Sequence, residues 1–130
     1  MPLQKPIEYN DANPVVRAVF DEIMELRQVK DVNNFWKYLA NNPEELRRTW
    51  DGLRDVMGEG ALDPLIKEMI YMAVSIANGC SYCIHSHTAA AQAKGMSKEM
   101  YGELLAVVGM ASKTNALATA HQVPIDEGFK

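Results

Sequence analysis

Proline residues that follow a polar residue constrain the fold of this 130-residue chain more than any other feature of its sequence. Asn13–Pro14 and Asp63–Pro64 each combine a side chain that caps the free N–H groups of a helix start with the residue best suited to the first helical position. A third proline, Pro43, follows two asparagines and separates one helical segment from the next. These signals divide the chain into short helical segments.

Apolar residues recur at helical spacing between these signals, and turn residues separate the segments. We predict helices from about Pro14 to Arg27, within residues 33–42, from Pro43 to the breaker "GEG", from Pro64 to the stop at Asn78 and Gly79, from about Cys80 to Lys94, and after a cap at Ser97. No window shows the alternation or the clustering of β-branched residues that strands require, so the predicted class is all-α. Because 130 residues is close to the modal domain size, we expect a single compact domain of about six helices spanning residues 1–130.

Two of the predicted helices carry specific expectations about burial. The third presents one apolar stripe that predicts a core face: Leu46, Trp50, Leu53 and Met57. The sixth carries five apolar residues that we expect to lie inside: Met100, Leu104, Leu105, Val107 and Val108. The tail, residues 121–130, is expected to be loosely structured.

Charge and composition exclude several classes of function. The net charge is -4 and the 13 Lys and Arg residues are scattered, so no basic face is available for nucleic acid. The N-terminus is polar, and the longest nearly apolar run, "MIYMAVSIA", is too short to cross a membrane, so we expect a cytoplasmic protein with no membrane partner. Cytosolic thiols are kept reduced, and a cysteine pair there is more often catalytic or metal-binding than structural.

Both cysteines lie in the stretch "NGCSYCIHSH", where one helix gives way to another. With Gly79 ending the fourth helix, Cys80 and Cys83 fall on the first turn of the fifth. Unpaired backbone N–H groups and the helix dipole stabilise a thiolate at such a position and lower its pKa. The placement therefore favours reactive thiols.

Helical periodicity sorts the remaining residues of this stretch into two groups. At about 100° per residue, Cys80, Cys83 and His87 lie within roughly 60° of one another, whereas Tyr82 and His85 point elsewhere. His87 lies one turn beyond Cys83, where it can exchange a proton with that thiol directly or through water. A thiol pair with a base beside it is the minimum for reducing peroxides or exchanging disulfides.

Glu68 is a candidate third partner on the preceding helix. It precedes Cys80 by twelve residues and lies about 90° from the centre of its helix's apolar stripe, at the edge of the buried face. If the fourth and fifth helices form a hairpin across the "ANG" turn, Glu68 can reach His87 or a thiol and orient the base. The alternative is a surface glutamate paired with Lys67 or Lys98.

The chain resembles a known family in these residues. Glu68, followed after eleven residues by "CSYC" and after three more by His87, reproduces the pattern of the alkyl hydroperoxidase D-like (AhpD-like) proteins of the carboxymuconolactone decarboxylase superfamily. The segments "VRAVFDEIMELR", "FWKYLANNPEELRRTW", "LDPLIKEMIYMAVSIANGCSYCIHSHTAAAQAKGMS" and "LLAVV" are similar in the same order. The resemblance implies an all-helical domain that assembles into trimers or hexamers. It also implies a CxxC centre that reduces hydroperoxides and is regenerated by a dithiol donor such as a lipoylated protein.

The resemblance assigns roles to individual residues. It implies that Cys83 is the peroxidatic thiol, that Cys80 is the resolving thiol which closes a redox-active disulfide, and that Glu68 and His87 relay protons. Helix geometry leaves the order of attack open, because Cys80 is nearer the helix end and Cys83 is nearer His87. The family pattern has a histidine where this chain has Tyr82, whose hydroxyl can donate a hydrogen bond but cannot act as a base at neutral pH.

Three alternatives compete with a thiol peroxidase. Cys80, Cys83 and His87 would make a zinc site only if Glu68 or His121 completed it, and they crowd one and a half turns of one helix. A decarboxylase-type lyase needs neither cysteine, so the retained pair argues against it. In a redox-inactive oligomeric helical protein the cysteines would merely pack. We therefore expect a thiol-dependent peroxidase-like oxidoreductase that acts on a hydroperoxide or a disulfide, without metal or cofactor, in a homo-oligomer.

Overall fold

A computed structural model describes residues 1–130, and all of its regular elements are helical. The helices are α1 (Pro14–Arg27), α2 (Asn34–Leu39), α3 (Pro43–Met57), α4 (Pro64–Asn78), α5 (Ser81–Ala93) and α6 (Lys98–Ala120), with short 3-10 helices at Tyr9–Asp11 and Glu127–Phe129. The predicted all-α class with six helices is confirmed. No helix combines the length and apolar character that a bilayer crossing requires. The chain divides into two compact units, Met1–Gly58 and Glu59–Lys130, and the single domain expected from its length stays a prediction.

The first unit is built from α1, α2 and α3. Asn13 and Asn42 cap α1 and α3 through their side-chain oxygens, each followed by proline at the first helical position. The two tryptophans, Trp36 and Trp50, pack edge to face with ring centroids 5.5 Å apart. Other buried residues of this core are Ala12, Val16, Val19, Phe20, Ile23, Val32, Ala40 and Leu46. The predicted stripe of α3 is confirmed at Leu46 and Trp50, which are fully buried.

The second unit, which contains α4, α5 and α6, carries both cysteines. Asp63 caps α4 by accepting a hydrogen bond from the Leu65 N–H, and Ser97 caps α6 by accepting one from the Met100 N–H. The buried core of this unit consists of Met72, Ala91, Met96 and Leu104. Helices α4 and α5 pack against each other more extensively than any other pair. The hairpin expected across the "ANG" turn is therefore present.

The turn between α4 and α5 requires a glycine. Gly79 has φ +70° and ψ 27°, the left-handed conformation that residues with a Cβ rarely adopt. Its N–H donates to the carbonyl oxygen of Ile76 at 3.1 Å, and the N–H of Cys80 donates to that of Ser75 at 3.0 Å. The chain thereby reverses within one residue, and Cys80 becomes the N-cap of α5. The predicted placement of the CxxC segment at the start of the fifth helix is confirmed.

The structure corrects the predicted burial in α6. Leu104 is buried and Val108 is partly buried, whereas Leu105 and Val107 are exposed, Val107 to 68%. Residues 104 and 108 are one turn apart and share the face that packs on α4, and residues 105 and 107 project from other sides of the helix. The helix also runs to Ala120, with every residue from 109 onward exposed. The tail is irregular, as expected, except for its final 3-10 turn.

Candidate functional site

The two thiols meet at the first turn of α5. Cys80 occupies the N-cap position, and its sulfur accepts a hydrogen bond from the backbone N–H of Cys83 at 3.3 Å. Both cysteines are free and partly buried. A sulfur atom here replaces the oxygen that usually caps a helix, so the backbone itself holds Cys80 close to Cys83.

The contact between the thiols makes their acidities unequal. The hydrogen bond from the Cys83 side chain, helped by the Cys83 N–H, lowers the pKa of Cys80 below its ordinary value. The same contact, together with burial, raises the pKa of Cys83 to about 11. The first negative charge of the pair therefore resides mainly on Cys80, and Cys83 keeps its proton until a base removes it.

The predicted base and carboxylate are in direct contact. The Nδ1 atom of His87 on α5 lies 2.7 Å from Oε2 of Glu68 on α4, and the Glu68 side chain is only 8% exposed. Because a carboxylate can only accept, Nδ1 carries the hydrogen, and Nε2 is the nitrogen left to exchange a proton with another group. The structure thus brings Glu68 to His87, not to the surface lysines Lys67 or Lys98.

Lys94 is a second partner of Glu68 that the sequence reasoning missed. Its Nζ lies 3.2 Å from Oε1 of Glu68, the oxygen that His87 does not contact, and it projects from the C-cap of α5. Burial raises the pKa of Glu68, but the hydrogen bond from His87 and the charge of Lys94 together outweigh burial and lower it. Glu68 is therefore ionised at neutral pH despite being buried.

Tyr71 is the other residue of the site that the sequence reasoning missed. Its ring stacks on the imidazole of His87, with centroids 3.6 Å apart and planes inclined by 19°. Burial, and the nearby Cys83 and Cys80, raise the pKa of Tyr71, so its phenol stays protonated at neutral pH. Helical spacing is the signal that would have found both residues: Tyr71 follows Glu68 by three positions on α4, and Lys94 follows His87 by seven on α5.

The two residues expected to point away from the reactive face both project toward solvent. His85 is exposed, and its Nδ1 lies 2.8 Å from the carbonyl oxygen of Ser81. Tyr82 is 43% exposed. His121, the remaining histidine, is exposed at the C-cap of α6. No group of three or more His, Cys, Asp or Glu side chains is arranged to hold a metal ion.

The assembled side chains have the components of dithiol chemistry. One thiol is acidified, the other is protonated, and a histidine with a free Nε2 is backed by a buried carboxylate. Such a set can form and break a disulfide while a proton moves between sulfur and imidazole.

Comparisons with known proteins give a family match and a similar solved structure. The family model described as "Carboxymuconolactone decarboxylase family" matches residues 43–125, more than half of the chain. The crystal structure of an alkylhydroperoxidase AhpD core from Rhodospirillum rubrum is 54% identical, with a TM-score of 0.94, and the match covers 99% of this chain and 97% of that one.

Two curated relatives are both named alkyl hydroperoxide reductase AhpD. The relative from Solibacter usitatus is 31% identical over 101 residues, and the match covers 75% of this chain but only 55% of that protein. The relative from Rhodococcus erythropolis is 26% identical over 130 residues, and the match covers 92% of this chain and 71% of that protein. The chain thus spans about half the length of the Solibacter relative.

Proposed function

This chain belongs to the carboxymuconolactone decarboxylase family as an AhpD-like member, and from that premise we propose that it reduces hydroperoxides through a dithiol–disulfide cycle of Cys80 and Cys83. The observation that carries the proposal is the contact between His87 and the buried, ionised Glu68. His87 lies on α5, the helix that begins with the two thiols. A buried carboxylate stabilises the imidazolium that forms when a histidine accepts a proton from sulfur, whereas a histidine that only packs gains no such benefit.

The first step of the cycle oxidises Cys83. His87 accepts the thiol proton at Nε2, and the resulting thiolate attacks the terminal oxygen of the hydroperoxide. A sulfur–oxygen bond forms as the oxygen–oxygen bond breaks, and the leaving alkoxide takes the proton from the His87 imidazolium to become an alcohol. Glu68 stabilises the imidazolium that exists between the two proton transfers.

The second step closes the disulfide. The Cys80 thiolate, whose own proton has gone to solvent, is held beside Cys83 by the backbone contact and attacks the sulfenic sulfur. Hydroxide is displaced, takes a proton from solvent and leaves as water. One hydroperoxide and two thiols thus give one alcohol, one water and one disulfide. A dithiol reductant, such as a lipoylated protein, restores both thiols by exchange.

The proposed order of attack runs against the acidities of the thiols. Cys80 ionises first, and thiolate content alone would make it the attacking residue. The assignment of attack to Cys83 rests on the resemblance to the AhpD-like family, and the position of His87 one turn beyond Cys83 on the same face of α5 supports it. In this proposal, removal of the Cys83 proton by His87 is what makes that thiol reactive.

The proposal extends to assembly, location and the altered motif position. Exposed apolar side chains on the outer part of α6, including Val107, Met110 and Leu117, support a homo-oligomer, which we expect to be a trimer or hexamer in the cytoplasm. The exposed Tyr82 offers a hydroxyl where the family pattern has histidine. We therefore expect a slower peroxidase than one that carries a second histidine there.

The test follows the thiols through one turnover. We expect one equivalent of tert-butyl hydroperoxide to remove two titratable thiols from the reduced protein, and dithiothreitol to restore them. Cys83→Ser should abolish peroxide consumption, whereas Cys80→Ser should leave a sulfenic acid on Cys83 that dimedone traps. Dimedone labelling of Cys80 in the Cys83→Ser protein would reverse the order of attack, and wild-type peroxide consumption by that variant would refute the mechanism.

The base is tested with a matched pair of histidine variants. We expect His87→Gln to slow disulfide formation near neutral pH, while His85→Gln, on the same helix but exposed, should react like the wild type. Equal rates for both variants at every pH would remove His87 from the relay. A lyase of the decarboxylase type would keep its activity when both cysteines are replaced, and this distinguishes it from the dithiol enzyme.

A further inference from the structure

Tyr71 makes the one aromatic contact to the base of the site. The phenol ring lies nearly parallel to the imidazole of His87, with ring centroids 3.6 Å apart, and the residue is partly buried on α4. Glu68, which bonds the edge of the same imidazole, precedes Tyr71 by three residues and so shares its face of α4. One helix therefore contacts His87 both at the ring edge and at the ring face.

These two contacts restrict different motions of the imidazole. The bond from Nδ1 to Glu68 fixes one atom of the ring, but it leaves the ring able to turn about the line joining Nδ1 and the carboxylate. A flat partner stacked at contact distance blocks that rotation, because turning would drive the imidazole edge into the phenol ring. With both contacts in place, the direction of Nε2 is set.

The backbone around Tyr71 is tied to the start of α5. The carbonyl oxygen of Tyr71 accepts a hydrogen bond from Oγ of the buried Ser75 at 2.8 Å. The carbonyl oxygen of Ser75 in turn accepts the N–H of Cys80 at 3.0 Å. The segment that presents the stacking ring is thus bonded to the residue that opens the dithiol turn.

We propose that Tyr71 is a positioning residue, whose ring face holds the imidazole of His87 with Nε2 directed for proton exchange with the dithiol. The ring is the active part and the hydroxyl is dispensable, so phenylalanine should replace Tyr71 without loss. The kinetic consequence rests on the function proposed above, whereas the orientation of His87 is a property of the structure alone. A misdirected base loses the benefit of proximity, and we expect a loss of about 10-fold in the rate of disulfide formation.

The experiment compares Tyr71→Phe, which keeps the ring, with Tyr71→Leu, which removes it. Tyr101→Leu serves as the matched control, because Tyr101 is a partly buried tyrosine against the core of the same unit. Two quantities are measured on each protein: the chemical shifts of the His87 ring in the reduced state, and the rate of disulfide formation with tert-butyl hydroperoxide. The ring shifts of His85 provide an internal reference, since His85 is exposed and bonds only locally.

We expect Tyr71→Leu to move the nitrogen-15 resonances of the His87 ring, which report the hydrogen bond from Nδ1 to Glu68 and are little affected by ring currents, and to slow disulfide formation about 10-fold. Tyr71→Phe should restore both quantities to the wild-type values, and Tyr101→Leu should change neither. Wild-type resonances and rate in Tyr71→Leu would overturn the proposal. A Tyr71→Phe protein as slow as Tyr71→Leu would also overturn it, by showing that the hydroxyl is what matters.

The outcome separates this inference from the proposed function. If the wild-type protein forms no disulfide with peroxide, the peroxidase proposal fails, and the resonances of His87 still decide whether the ring of Tyr71 positions it. If the wild type reacts and Tyr71→Leu reacts equally fast, the peroxidase stands and the positioning role fails.

Discussion

Replacing Lys94 with methionine tests whether the ion pair keeps the buried carboxylate charged. Lys94 reaches Oε1 of Glu68 at 3.2 Å, and its side chain is 41% exposed while that of Glu68 is 8% exposed. Methionine keeps most of the length of the side chain and removes the charge. The remaining partner of the carboxylate is then His87 alone.

The magnitude follows from the distance and the exposure of the pair. Two unit charges 3.2 Å apart attract by about 1 kcal/mol in water and by about 5 kcal/mol at an effective dielectric constant of 20. Because two-fifths of the lysine side chain is exposed to solvent, the aqueous limit is the better guide, and we expect a loss of about 1 to 2 kcal/mol in the free energy of unfolding. A cation at the C-terminus of α5 contributes about 0.5 kcal/mol of this.

The pH dependence of the loss identifies its cause. The pKa of Glu68 is lowered in the folded protein, so its ionised form stabilises the fold fully above the ordinary value of 4.5, and this stabilisation is lost as the pH falls through the folded-state value. Without Lys94 the pKa of Glu68 rises, and the loss of stability begins at a higher pH. The difference between wild type and variant should be fully present at pH 7 and should shrink toward the helix-dipole contribution of about 0.5 kcal/mol as the pH falls through the folded-state pKa of Glu68 in the wild type.

Urea unfolding followed by circular dichroism at pH 7, 5, 4 and 3 measures this difference, at one fixed protein concentration because an oligomer's stability depends on concentration. Lys113→Met is the control, since Lys113 is an exposed lysine on α6 in the same unit. A Lys94→Met protein as stable as the wild type at pH 7 would refute the reasoning. A loss that stays the same size at a pH where Glu68 is protonated in the folded wild type would refute it too, because it would place the effect outside the ionisation of Glu68.

Further predictions concern the carboxylate, the turn and the core. Glu68→Gln should slow disulfide formation by about 10- to 100-fold at pH 7 in a stopped-flow assay, since the amide cannot stabilise an imidazolium, and an unchanged rate would exclude the carboxylate from the relay. Gly79→Ala should lower the free energy of unfolding by about 1 to 2 kcal/mol, because its φ of +70° is strained for a residue with a Cβ. A Cβ here would meet nothing within 4 Å, so a much larger loss would show that packing also requires the glycine. Met72→Ala should lower the free energy of unfolding by about 2 to 5 kcal/mol in the same urea measurement, because Met72 is fully buried. A loss below about 1 kcal/mol would mean that the surrounding core side chains fill the cavity.

Structural features that depend only on residues close together in the sequence could be predicted. Each helix start depends on a cap and the next residue, so Pro14, Pro43 and Pro64 marked α1, α3 and α4 at the residues where the structure begins them. The separation of His87 from His85 likewise depends only on the period of one helix.

Features that depend on how two helices meet could not be predicted. Whether Glu68 bonds His87, and which lysine joins it, depends on the register of α4 against α5, which no local pattern encodes. The exposure of Leu105 and Val107 has the same origin, because an apolar residue is buried only where another element covers it. Helical spacing could therefore nominate Glu68 as a partner and place Lys94 on the same side of α5 as His87, whereas the bond between Lys94 and Glu68 emerged only from the packed helices.

The sulfur of Cys80 caps α5, so the stability of this helix depends on whether the two cysteines are reduced or joined in a disulfide. In the reduced protein, Cys80 accepts the Cys83 N–H and stabilises the helix start, most strongly as a thiolate. Closing the disulfide removes that charge and weakens the acceptor, so oxidation uncaps the helix and the fold favours the reduced form. A disulfide whose reduced form is stabilised in this way has a higher reduction potential and is readily reopened by dithiols. In the proposed cycle, the cap thus favours the half that returns both cysteines to the reduced state.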